Sequence, residues 1–214
     1  MKKRVFIVLL TLFSITMTGQ TEMLIGQISG RVVVRENFDE DGDFLNQQTF
    51  EASETIKKNG YYEIKVVTEL FDKDKKSTDK YTTTYRCKPD DASIMVMAFP
   101  FSNAKSKKTE INTTSKKFKE LYNLDNLQNI ELEMSFDSGL LNFFGSKSTI
   151  KIYDRKMDGN QNNIKSKINI KAYALGIRIK QLNYNVIEKL NENGLLTFQK
   201  FTEEDNSYFT MTYK

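Results

Sequence analysis

The sequence predicts an all-β protein: a single antiparallel up-and-down β-barrel, or an open half-barrel, of roughly ten strands with one short helix near 115–127. Three observations predict it. Apolar and polar residues alternate at period two in one run after another. The runs are spaced as hairpins and separated by short turns bearing Gly, Asn or Asp. Only two prolines occur in 214 residues, both near expected loops, which suits long uninterrupted strands.

The chain opens with Lys2-Lys3-Arg4 and an apolar run from Val5 to Met17. This reads as a signal peptide over 1–20, cleaved between Thr18 and Thr21, and the run is too short to span a bilayer. A lipoprotein signal would need a cysteine just after that run, and the one cysteine is Cys87. The expectation is a periplasmic or secreted protein whose residues 21–214 form one antiparallel β domain, with no transmembrane segment in the mature chain. The 32 Lys and Arg against 28 Asp and Glu give a net charge of +4. Three of the basic residues sit in the signal segment, so 29 against 28 remain and no nucleic-acid partner is expected.

Taken in order, Arg31–Glu36 is the first expected strand. Asn37-Phe-Asp-Glu-Asp-Gly-Asp43 then resembles part of an EF-hand calcium loop, but the twelfth position is Gln48, which supplies no bidentate carboxylate. An acidic turn with Gly42 at positive φ is the reading preferred, with weak calcium binding as the alternative. Leu45–Lys57 reads as one long strand, and Asn59-Gly60 as a type I′ hairpin turn. From Gly60 to Phe71, Tyr62, Ile64, Val66, Thr68 and Leu70 share one side, against Glu63, Lys65 and Glu69 on the other. Strands Tyr81–Cys87 and Ile94–Phe99 follow.

Pro100–Lys117 is rich in Ser, Asn, Thr and Lys and reads as a solvated loop. Ser115 can cap a short helix carrying Phe118, Leu121 and Tyr122 at i, i+3, i+4. Strands resume at Ile130–Phe136, then at Thr149–Tyr153 beyond the apolar knuckle Gly139–Gly145, and again from Ile164 to Ala172. After Leu175-Gly176 the alternation slips by one near Lys180-Gln181, which predicts a β-bulge. Asn193-Gly194 reads as a second hairpin turn, joining Val186 to Leu195–Phe201; Tyr208–Tyr213 is the last strand.

The chemistry is limited by what the chain lacks. It has no histidine, which removes His-based triads and His metal ligands, and a single cysteine forms no internal disulfide. Glu131 and Glu133 fall on one outward side of a strand, as a solvated pair rather than a catalytic one. No nucleophile–base constellation stands out, so no enzyme, no metal and no cofactor is expected.

Glu69 to Met97, with its Tyr81-x-x-x-Tyr85-x-Cys87-Lys88-Pro89-Asp90 pattern and methionine-bearing strand, is similar to uncharacterised exported Bacteroidota proteins with a calycin-like, lipocalin-related open β-barrel; Ile164–Lys189 adds to the likeness. The Gly-x-Trp signature of lipocalins is missing, since the chain has no Trp. The resemblance implies a fold and an apolar cavity, and no activity. The functional expectation is a non-catalytic exported module that binds an apolar small molecule or lipid in the cell envelope. Met95, Met97, Phe99, Met134, Phe136, Phe143 and Phe144 would line the site. The alternative is a structural or protein-interaction component of the envelope with a filled core.

Overall fold

The computed structural model describes residues 28–87, 108–113, 127, 129–137, 147–159, 163–174, 177–193 and 195–214. These hold twelve strands and no helix: β1 (Val32–Phe38), β2 (Phe44–Ala52), β3 (Ile56–Lys58), β4 (Tyr61–Phe71), β5 (Ser77–Cys87), β6 (Lys108–Thr113), β7 (Ile130–Asp137), β8 (Lys147–Met157), β9 (Asn163–Ala174), β10 (Ile177–Leu190), β11 (Leu196–Thr202) and β12 (Tyr208–Tyr213). All belong to one sheet, ordered β2-β1-β12-β11-β10-β9-β8-β7-β6-β5-β4-β3. β2 pairs with β1 along one edge and with β4 along the other, so the pairing runs through eleven strands and returns to β2.

Side chains alternate across this sheet, and one face forms the core. Its register pairs are apolar strand after strand: Val33 with Phe50, Ile64 with Tyr85, Ile150 with Ile170, Ile152 with Ile168, Val186 with Phe201, and Phe201 with Phe209. Tyr62, Ile64, Val66, Thr68 and Leu70 share a face as the alternation predicts, and Ile64, Val66 and Thr68 are buried there.

Local chemistry explains the turns. Asn59 and Gly60 both take positive φ, 51° and 78°, as a type I′ turn requires, and Lys58 pairs directly with Tyr61. The loop after β1 is the acidic turn expected: Asp39 Oδ1 accepts hydrogen bonds from the backbone N–H of Asp41 and Asp43, and Gly42 sits at φ 87°. The loop after β4 repeats this frame, with Asp72 Oδ1 accepting from Asp74 N and Lys76 N and Lys75 at φ 59°. The expected bulge in β10 is present as a register shift between Arg178 and Lys180.

Three expectations change. The expected strand Leu45–Lys57 is broken at Ser53–Thr55. The backbone N–H of Gly30 bonds Ser53 O, and Thr55 N donates to Ser29 Oγ, so the segment before β1 takes groups that a continuous ladder would use. Inside the stretch read as a loop, Lys108–Thr113 forms β6, which pairs parallel to β5 and antiparallel to β7. That parallel pair departs from a simple up-and-down order. The β10–β11 hairpin is framed by Asn191, whose Oδ1 accepts from Asn193 N and Leu195 N and whose N donates to Leu195 O; Gly194 of the expected Asn193-Gly194 turn lies outside the described residues. Ile94–Phe99, Gly139–Gly145 and the helix expected near 115–127 lie outside the described residues, save Leu127, which packs against the core.

Candidate functional site

Of the residues expected to line a ligand site, Met95, Met97, Phe99, Phe143 and Phe144 lie outside the described residues. Met134 and Phe136 are in β7, opposite Thr113 and Ile111 of β6, and their side chains lie outside the description. The described part of the inner face is brought together instead by two groups of polar side chains set among apolar ones.

The first spans β10, β11 and β12. Glu188 and Gln199 are register partners, and Tyr213 follows Met211, the β12 partner of Gln199, by two positions. All three are buried, at 5%, 2% and 5% exposure. The Tyr213 hydroxyl donates to Gln199 Oε1 at 2.5 Å, and Gln199 Nε2 donates to Glu188 Oε1 at 2.7 Å. Arg31 closes the end of this group: its two terminal nitrogens donate to the carbonyls of Leu196 and Tyr213, and its guanidinium lies 5.5 Å from the Tyr213 ring centre. Burial, seconded by the Glu188 charge, pushes the Tyr213 phenol well above its usual value and keeps its proton in place, with Arg31 opposing.

The second group draws on β1, β2 and β10. The Arg35 guanidinium sits over the Phe209 ring at 4.0 Å, and its Nε donates to Asn37 Oδ1. Asn37 in turn donates to Asn46 Oδ1 at 2.7 Å. The Tyr184 hydroxyl donates to Glu203 Oε1 at 3.2 Å, and the ring of Tyr184 meets Phe201 and Phe209 edge-on. Burial lowers the Arg35 pKa, while Tyr184 and Glu203 act to raise it. Burial, then the Glu203 carboxylate, pushes the Tyr184 phenol well up.

Both groups are arrays of donors matched to acceptors inside an apolar wall. They hold protons and charges in place. Among the described residues no set of three or more His, Cys, Asp and Glu is placed to hold a metal ion. The acidic turn spends Asp39 on its own backbone.

Sequence reasoning missed Arg35, Glu188 and Gln199. The signal for Glu188 was present, since it continues the phase of Leu182, Tyr184 and Val186 into the core. Arg35 likewise continues the phase of Val33.

No protein-family model matches the chain, and none of the curated proteins does. Among solved structures the chain is similar to a "putative lipoprotein from Parabacteroides distasonis ATCC 8503", at 14% identity and a TM-score of 0.45, covering 87% of this chain and 94% of that one. It is also similar to a "putative exported protein with YmcC-like fold" from Bacteroides fragilis NCTC 9343, at 12% identity and a TM-score of 0.41, covering 86% of this chain and 94% of that one. At these scores the likeness is one of outline and assigns no chemistry to any residue.

Proposed function

We propose that this chain is a non-catalytic, exported, calycin-like β module that binds an apolar small molecule or lipid in the cell envelope. The observation behind this reading is the pairing that runs through eleven strands and returns to β2 with an apolar inner face. About eight strands make a barrel that side chains just fill or that holds one small ligand, and a larger number widens the interior. Arg35 and Tyr184 then give the apolar interior a polar end that would orient an amphiphile.

Native mass spectrometry of the chain from Thr21, purified without detergent, tests the proposal. The expected result is an adduct of lipid or small-molecule mass that organic extraction removes. A clean apo mass across preparations would sink the ligand reading.

A second reading, a structural or protein-interaction component with a filled core, is favoured by one observation. Val33, Ile64, Val66, Ile150 and Phe201 are each at 1% exposure or less, so this part of the interior is filled by side chains. The apo mass would point to it.

A further inference from the structure

We propose that the outer face of β8, β9 and β10 is a docking surface for an anionic lipid bilayer. This surface is on the other side of the sheet from the interior and does not depend on what the interior holds. Residues 147–190 contain ten Lys and Arg against three Asp and Glu, a net charge of +7, whereas the whole chain carries +4. The remainder is therefore net acidic, at −3, and the positive charge is segregated rather than spread.

The fold places six of these ten cations on one surface. Arg155 and Glu188 are buried. Lys151, Lys156, Lys165, Lys167, Lys171 and Lys189 fall on the outward side of three adjacent strands, with Lys156 and Lys165 as direct cross-strand partners. Like charges placed opposite each other destabilise a sheet, so this pair works against folding. Three of the lysines have acidic partners: Lys151 with Glu131 at 3.0 Å, Lys165 with Asp158 at 2.9 Å and Lys167 with Asp154 at 3.0 Å. These pairs are half-exposed, and salt screens them readily. Lys156, Lys171 and Lys189 add positive charge beyond them.

Protection of a sheet edge does not account for the pattern. Lysines blunt exposed edges, but β8, β9 and β10 are each paired on both sides. A sheet face instead sets the backbone positions that carry the lysines on a grid about 4.8 Å across strands and about 6.7 Å along them. That is a two-dimensional array, suited to a plane of lipid phosphates more than to a groove around a single polymer. Half-buried Tyr153 and Tyr173 sit on the same face. Amphipathic aromatics among long cationic side chains are the composition that settles at a headgroup layer.

The test is co-sedimentation of the chain from Thr21 with phosphatidylcholine vesicles made with and without phosphatidylglycerol. Binding is expected only with phosphatidylglycerol and should fall as salt rises. The triple variant Lys156→Glu, Lys171→Glu, Lys189→Glu should lose affinity by about fivefold or more per reversed residue. Far-UV circular dichroism checks that it folds, and Lys156→Glu helps by facing Lys165. A control of equal charge change, Lys58→Glu, Lys65→Glu, Lys73→Glu, alters exposed lysines of the β3–β5 region and should bind nearly as the parent does. Equal loss in both variants, or no vesicle binding by the parent, overturns the proposal. So does binding to heparin without binding to vesicles, which would mark a soluble polyanion as the partner.

Discussion

Tyr213 donates its hydroxyl hydrogen to Gln199 Oε1 at 2.5 Å, on the buried face of two neighbouring strands. Gln199 is thereby the middle of a three-residue chain that ends at Glu188. Removing an end and removing the middle have different consequences. Tyr213→Phe leaves one buried acceptor without its donor, and we expect a loss of about 1–3 kcal/mol. Gln199→Leu leaves both the phenol and the Glu188 carboxylate short of a partner, and should cost more than Tyr213→Phe. Urea denaturation of both variants checks the order; equal or reversed costs would mean the chain does not act as a unit.

The two buried phenols should make the protein sensitive to alkali. Tyr184 and Tyr213 are both pushed up in the folded state, chiefly by burial, from an unfolded value of about 10. The folded state therefore keeps protons that the unfolded chain releases. Their contribution is fully present below about pH 10 and is lost as the pH climbs from there toward the folded-state values. The expected slope is about 1.4 kcal/mol per pH unit for each phenol. Stability measured from pH 8 to 11.5 should fall more gently in Tyr184→Phe than in the parent. An unchanged slope would show that Tyr184 titrates normally.

Phe201 is the aromatic centre of the core. It stacks on Phe209 at 4.5 Å between ring centres, meets Tyr184 edge-on, and is 1% exposed. Phe201→Ala is expected to destabilise by about 3–5 kcal/mol, and Phe201→Leu by clearly less. Chemical denaturation at constant m-value measures both. A cost under about 1 kcal/mol for the alanine would mean that the surroundings collapse to fill the space.

Two loop positions should respond in opposite directions. Lys75 holds φ 59°, a conformation unfavourable for a side chain of its kind, so Lys75→Gly relieves strain. It also gives up a contact of Lys75 Nζ with the Phe44 ring at 5.4 Å, a small loss at an exposed site. We expect a net gain of roughly 0.5 kcal/mol. Gly60→Ala meets open space but must adopt φ 78°, and should cost about 1 kcal/mol. Thermal melts of the two variants moving in the same direction would count against this account of the turns.

The sequence by itself determined the local geometry of this protein. Period-two alternation assigned Tyr62, Ile64, Val66, Thr68 and Leu70 to one face because successive side chains on an extended backbone must point to opposite sides. Asn59-Gly60 specified its turn because few residue pairs tolerate positive φ twice in succession. The phase slip near Lys180 marked the β10 bulge, since an extra residue exchanges the two faces. Partners distant along the chain were decided only by the tertiary structure. The parallel docking of β6 on β5, the return of β2 to β4, and the break at Ser53 each depend on which groups compete for one strand edge. Glu188, Gln199 and Tyr213 meet for the same reason. They stand on three different strands, and register across those strands makes them a buried chain, because hydrogen bonds between distant residues form only once the sheet has brought their backbones together.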